Sequence, residues 1–198
     1  MKKLGHNLAK VVILGLAFTF SAAGGMGYVS AAEKVVPVKI EADNKLPAGD
    51  MSNGADNFYK SDKVDGRQVT FLNSYNMKVA GNLFVPKNLD KREKHPAIIV
   101  GHPMGAVKEQ SANLYAQKMA DQGYVTISFD LSFWGDSAGQ PRNSVSPDIY
   151  ADDFSAAADY LSTLKYVDKD NIGVIGICGS GSFAISEAKI DSRLKAVA

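Results

Sequence analysis

Apolar positions along the chain first alternate singly with polar ones, then run together in short blocks separated by helical patterns. Residues 67–72 and 78–85 carry β-branched and aromatic side chains at strand spacing and predict two strands joined by a polar turn at 73–76. Residues 96–100 are continuously apolar, as in a central strand covered on both faces, and residues 125–129 predict a second such strand ending at Asp130. Residues 111–122 predict a helix with Leu114, Tyr115, Met119 and Ala120 as its buried stripe and Gly123 placed to end it. Residues 148–164 predict another, with Tyr150, Phe154, Ala157, Leu161 and Leu164 at helical spacing. An apolar run at 172–177 predicts a strand, residues 183–189 are helix-compatible, and a last strand starts at Leu194. Strands alternating with helices imply a mostly parallel sheet flanked by helices, with the first two strands as an antiparallel edge.

The N-terminus has a different pattern. Lys2 and Lys3 precede an apolar stretch at 11–24, and small residues follow around Ser30, Ala31 and Ala32. That is the layout of a signal peptide over 1–32, and it predicts an exported protein with no stable membrane anchor after cleavage. Residues 33–56 mix Lys, Asp, Asn, Pro and Gly with little periodicity and read as a flexible lead-in to a domain over 57–198. The formal net charge of +1 gives no electrostatic reason to expect nucleic acid as a partner. Cysteine and histidine do not occur at metal-ligand spacing, so neither a metal nor a cofactor is expected.

Cys178 is the one cysteine of the chain. It follows the apolar run at 172–177 directly and sits among Gly176, Gly179, Ser180 and Gly181, ahead of the helix-compatible segment. A strand turning sharply into a helix around one reactive side chain is a nucleophile elbow, and its crowding requires small residues two before and two after that side chain. Gly176 and Ser180 meet this requirement. Backbone N–H groups and the dipole at the helix start favour an anionic sulfur there. Ser180 is the alternative nucleophile, with Ser182 behind it, and an inert Cys178 packed in a tight turn is the bland reading of the same residues.

Three segments line up in chain order: Val100 to Gly105 after the third strand, Phe129 to Gly139 after the fourth, and Gly176 to Gly181 at the elbow. Together they resemble the α/β-hydrolase superfamily, most closely its dienelactone-hydrolase-like branch, in which cysteine can replace serine. The resemblance implies an acyl hydrolase acting on a small-molecule ester, thioester or lactone, with Cys178 as nucleophile. It further implies oxyanion N–H donors from Gly179 and from the loop after the third strand. Pro103 has no N–H, so Met104 is the candidate in that loop, with Gly105 behind it. His102 matches the oxyanion-side histidine that shapes this turn, and Asp130 a loop-shaping aspartate. Asp136 is a further candidate acid, and Phe133 and Trp134 are candidates either for an acyl pocket or for packing.

In this fold the acid and the histidine follow the nucleophile along the chain. Neither is found between Cys178 and Ala198 in a position to serve, and the last strand has only begun at Leu194. The expectation is therefore the N-terminal part of a hydrolase domain, incomplete at the C-terminus and not a competent catalyst by itself. Two other classes fit part of the pattern. Gly179, Gly181 and Ala184 match a G-x-G-x-x-A dinucleotide fingerprint after a strand, although that fingerprint normally opens its domain. A non-catalytic binding protein on the hydrolase fold is the other.

Overall fold

The computed structural model describes residues 59–198; the signal-peptide and lead-in assignments, and His6, lie outside the described residues. Six strands and three helices follow one another as β1 Val64–Leu72, β2 Lys78–Pro86, β3 His95–Gly101, α1 Ser111–Ala120, β4 Val125–Phe129, α2 Pro147–Ser162, β5 Val167–Gly176, α3 Gly179–Ala188 and β6 Leu194–Val197. They form one sheet in the order β1-β2-β4-β3-β5-β6. The hairpin β1–β2 and the β2–β4 pair are antiparallel, whereas β3, β4, β5 and β6 run parallel. The predicted antiparallel edge on a parallel sheet is thus the observed one.

Strand periodicity divides the core between the two faces. Ile98 and Val100 of β3 pack with Phe84, Ala112, Ala116 and Ala120 on the α1 side. Ala97 and Ile99, one residue out of phase, join Ile127, Phe129, Val174, Tyr150, Phe154 and Phe183 on the side of α2 and α3. Phe154 meets Phe129 edge to face with ring centroids 5.0 Å apart, and Tyr150 meets Phe183 in the same way at 5.1 Å. Such pairs contribute about 0.5–1.5 kcal/mol each beyond their buried area. Among the described residues, no helix is long and apolar enough to cross a membrane.

The stripe expected for α1 holds at Ala120, which is buried, and at Met119, which packs against the core, and is corrected at Leu114 and Tyr115. Ala112, Asn113, Ala116, Gln117 and Ala120 are the buried positions, while Tyr115 is 48% exposed. Three alanines at four-residue spacing let the helix approach β4 closely. The polar residues between them are satisfied there: Ser128 donates to Asn113 Oδ1 at 2.5 Å, and Asn82 donates to the same oxygen at 3.2 Å. Thr126 donates to the Ala116 carbonyl at 2.9 Å. In α2 the expected stripe is observed at Tyr150, Phe154, Ala157 and Leu161; Leu164 lies past the helix end. The elbow helix α3 begins at Gly179, four residues before the segment that looked helical in sequence.

Candidate active site

The loops leaving β4, β3 and β5 emerge side by side, because those three parallel strands are neighbours in the sheet. Ligands in open α/β sheets bind at this carboxyl end. All of the sequence-predicted site residues follow one of these three strands.

Cys178 occupies the corner between β5 and α3 and is exposed. Its backbone has φ 57° and ψ −116°, a conformation that side-chain-bearing residues rarely adopt. Holding it costs on the order of 1–3 kcal/mol, which the surrounding structure must supply. The source of that constraint is visible at Gly176. A Cβ there would lie 2.6 Å from the Cα and N of Gly181 and from the Ser180 carbonyl oxygen. Strand end and helix start therefore touch backbone to backbone. The position three past the cysteine, Gly181, is where the strand end makes this contact, in addition to the small residue at 180 expected from the elbow pattern.

The turn after β3 faces this corner. Ala106 N–H donates to the Pro103 carbonyl at 3.0 Å, and Gly105 supplies the positive φ of 77° that such a turn needs at its third position. The turn's own hydrogen bond leaves the Met104 N–H out. At the elbow, Ser180 N–H donates to the Ile177 carbonyl at 3.2 Å and Gly181 N–H to the Cys178 carbonyl at 3.0 Å, so Gly179 N–H takes no part in either bond. The two backbones are close: a Cβ on Gly179 would sit 3.6 Å from Met104 N and 3.2 Å from Met104 Cβ. Residues 104 and 179, the two candidate oxyanion donors, are adjacent across the mouth of the sheet.

His102 is completely buried behind this turn. Its Nε2 accepts the Leu131 N–H at 3.0 Å, which makes Nδ1 the protonated nitrogen, donating to the Pro103 carbonyl at 2.7 Å. Burial holds the imidazole below the ordinary histidine value, against the opposing pull of the Pro103 carbonyl and the Asp130 carboxylate. With both nitrogens committed and the ring neutral, His102 braces the turn and has no lone pair for the Cys178 proton. His95 starts β3 at the other end of the strand, about 20 Å away at strand rise, and its Nε2 is 2.8 Å from the Asp90 carbonyl. Among the described residues, no histidine is placed as a base for Cys178.

The acidic candidates are also engaged. Asp130 is buried, accepts the Lys108 and Asp136 N–H groups at 2.8 and 2.9 Å, and holds Lys108 Nζ at 2.7 Å. The same ammonium lies 2.9 Å from Asp136 and 2.7 Å from Glu109. Burial alone would push the Lys108 amine down, but the three carboxylates outweigh it and raise it above the usual lysine range. Burial pushes Glu109 up. Lys108 thus ties the loop after β3 to the loop after β4, and Asp136 serves that tie instead of orienting a histidine. Sequence reasoning passed over Lys108, because lysine is the residue least expected inside. Phe133 is in the core and Trp134 packs against it, with the indole N–H donating to Tyr150 Oη at 2.6 Å, so this aromatic pair is packing.

Ser180 is fully buried, and its hydroxyl donates to the His102 carbonyl at 2.6 Å. It is therefore turned away from the exposed corner that Cys178 occupies. No group of His, Cys, Asp and Glu that could hold a metal ion occurs among the described residues.

Residues 79–198 match the dienelactone hydrolase family. The uncharacterized protein PA2218 of Pseudomonas aeruginosa is 53% identical over 140 residues, covering 71% of this chain and 38% of that protein. Its crystal structure superposes with a TM-score of 0.68 over 71% of this chain and 43% of that one. The α/β hydrolase GrgF from a Penicillium species shares the fold at a TM-score of 0.62 and 22% identity, over 67% of this chain and 44% of that one. The thiohydrolase aneE of Aspergillus aculeatus is 29% identical over 130 residues, 66% of this chain and 39% of that protein. The chain spans about two fifths of the length of the curated relatives it matches.

Proposed function

The chain belongs to the dienelactone hydrolase family, and from that membership we propose that it is the nucleophile-bearing part of an exported acyl hydrolase with Cys178 as nucleophile. The substrate class is a small ester, thioester or lactone. The observation that carries this reading is the exposed Cys178 on a strained strand-to-helix corner, with the Gly179 and Met104 backbones beside it.

The reaction is acyl transfer through sulfur. The Cys178 thiolate attacks the carbonyl carbon, a C–S bond forms, and the carbonyl π electrons move onto oxygen. The Gly179 and Met104 N–H groups receive that oxyanion, a contribution of about 2.7–4 kcal/mol for each well-placed donor. Collapse expels the alkoxide or thiolate leaving group, which takes up a proton, and water then cleaves the S-acyl enzyme to the acid and the free thiol. An S-acyl enzyme is itself a thioester. Its formation from a thioester is nearly balanced, whereas formation from an unstrained alkyl ester is uphill, so thioesters and activated or strained esters are the better substrates. The name of the thiohydrolase relative agrees with that order.

The acid and the histidine follow the nucleophile in the fold's chain order, and on this reading they come from a part of the protein outside residues 59–198. Residues 59–198 alone then acylate without turning over. Export rests on the basic, apolar and small-residue pattern of residues 1–32. The test is hydrolysis of p-nitrophenyl acetate and S-phenyl thioacetate by the full-length protein and by its Cys178→Ala variant. Turnover is expected to fall by at least about 10³-fold in the variant. Equal turnover would remove Cys178 from the mechanism, and dependence on NAD for stability would favour the dinucleotide reading.

A further inference from the structure

Two hydrogen bonds cross from the end of β3 and its turn to the elbow. Ile177 N–H donates to the Gly101 carbonyl at 3.2 Å, which prolongs the strand pairing. The second is the Ser180 hydroxyl on the His102 carbonyl at 2.6 Å. Ser180 follows Gly179 directly, and His102 precedes Met104 by two residues, so this second bond lies between the two candidate oxyanion donors.

We propose that Ser180 is a positioning residue for the oxyanion hole: its buried hydroxyl fixes how far the Met104 N–H stands from the Gly179 N–H. This rests on the acyl-hydrolase reading given above. The acceptor is rigid. His102 is held through Nδ1 by the Pro103 carbonyl and through Nε2 by the Leu131 N–H, and the Pro103 ring fixes the backbone between His102 and Met104. Displacing the His102 carbonyl therefore moves Met104 with it. The site is also built to admit the hydroxyl. A Cβ on Gly101 would lie 2.7 Å from Ser180 Oγ and 2.5 Å from Phe154 Cζ, so the absence of a side chain at 101 makes room for the serine. Ser180 is fully buried, points away from solvent and gives its proton to a carbonyl oxygen. That geometry serves alignment and presents no nucleophile.

The experiment compares two reactions of the same sulfur in the full-length protein. Acylation by p-nitrophenyl acetate, followed as the stopped-flow burst of nitrophenolate, builds an oxyanion; alkylation by iodoacetamide does not. In Ser180→Ala the acylation rate constant is expected to fall about 10- to 100-fold, with alkylation within about twofold of the native rate. Ser180→Thr, which keeps the hydroxyl, is expected to acylate faster than Ser180→Val, which has its shape without it, and this pair decides the matter if the alanine variant does not fold. Unchanged acylation in Ser180→Ala, a parallel fall in both reactions, or equal acylation by the threonine and valine variants overturns the positioning role. Acylation that survives Cys178→Ala overturns the nucleophile assignment and this proposal with it. Acylation lost in Cys178→Ala and unchanged in Ser180→Ala overturns the positioning role alone.

Discussion

Replacing Lys108 with methionine should be among the most damaging single changes in the described domain. The ammonium is buried and in contact with Asp130, Asp136 and Glu109 at 2.7, 2.9 and 2.7 Å. Methionine preserves most of the apolar stem, so lost packing is a minor term. What remains is the Asp130 carboxylate, completely buried and deprived of its counter-charge. Breaking a buried pair from one side costs about 3–5 kcal/mol. Asp130 keeps two backbone N–H donors, from Lys108 and Asp136, so the lower end, about 3 kcal/mol, is expected. At about 4 °C per kcal/mol for a domain of this size, Tm should fall by about 12 °C. Equilibrium urea unfolding gives the free energy directly, with the midpoint shifting and the slope unchanged. Adding Asp130→Asn to the Lys108→Met variant should restore at least about 1 kcal/mol, because the stranded charge is removed. A loss below about 1 kcal/mol, or strict additivity of the two changes, would refute the argument that this ion cluster bridges the loops.

Two further outcomes follow from burial and close approach. Burial pushes the Asp153 carboxyl up to about 7, although Ser132 N–H, the Ser132 hydroxyl and Asn73 all donate to it at 2.7 to 2.9 Å. The folded state therefore holds the proton more tightly than the unfolded chain, and this stability is complete below the ordinary value of 3.8 and lost as pH rises through about 7. The gap is worth about 4 kcal/mol. Urea unfolding between about pH 4 and about pH 8 should show that decline, and Asp153→Asn should flatten it; the same slope in both proteins would contradict the assignment. Gly176→Ala puts a methyl 2.6 Å from the Gly181 and Ser180 backbones, so stability should fall by about 1–3 kcal/mol. Turnover should fall by about 10²-fold as the elbow is displaced, and native turnover in that variant would show that the elbow does not depend on the close approach.

The sheet and the elbow were legible because their signals are local. The apolar blocks at 96–100, 125–129 and 172–177 sit inside β3, β4 and β5, and the cysteine among small residues falls at the corner between β5 and α3. Failures occurred where tertiary partners override local pattern. Leu114 and Tyr115 look like part of the core face of α1, yet the sheet takes the alanine face, with Met119 packed at its side, because Asn113 finds partners in Asn82 and Ser128. Residues 179–182, Gly-Ser-Gly-Ser, have poor helix propensity and become helical because the elbow leaves no other path. The start of β5 at Val167 was hidden by the polar run 168–171, which extends the strand beyond its apolar part. Lys108 and Asp153 could not be assigned roles from sequence, since their partners lie 22 and 80 residues away and nothing local marks them; Ser180 was marked by the elbow, but the partner of its hydroxyl lies 78 residues away.

The central claim is that Cys178 carries the acyl group. The full-length protein, mixed with p-nitrophenyl acetate and quenched in acid before deacylation is complete, can be digested with trypsin. Cleavage after Lys169 and Lys189 isolates one peptide, residues 170–189, that contains Cys178 together with Ser180, Ser182 and Ser186. Fragmentation by mass spectrometry should place a single acetyl group on Cys178, removable by hydroxylamine and absent from the Cys178→Ala protein. An acetyl group on Ser180 or Ser182, or an unmodified peptide from a sample that released nitrophenolate in a burst, would contradict it.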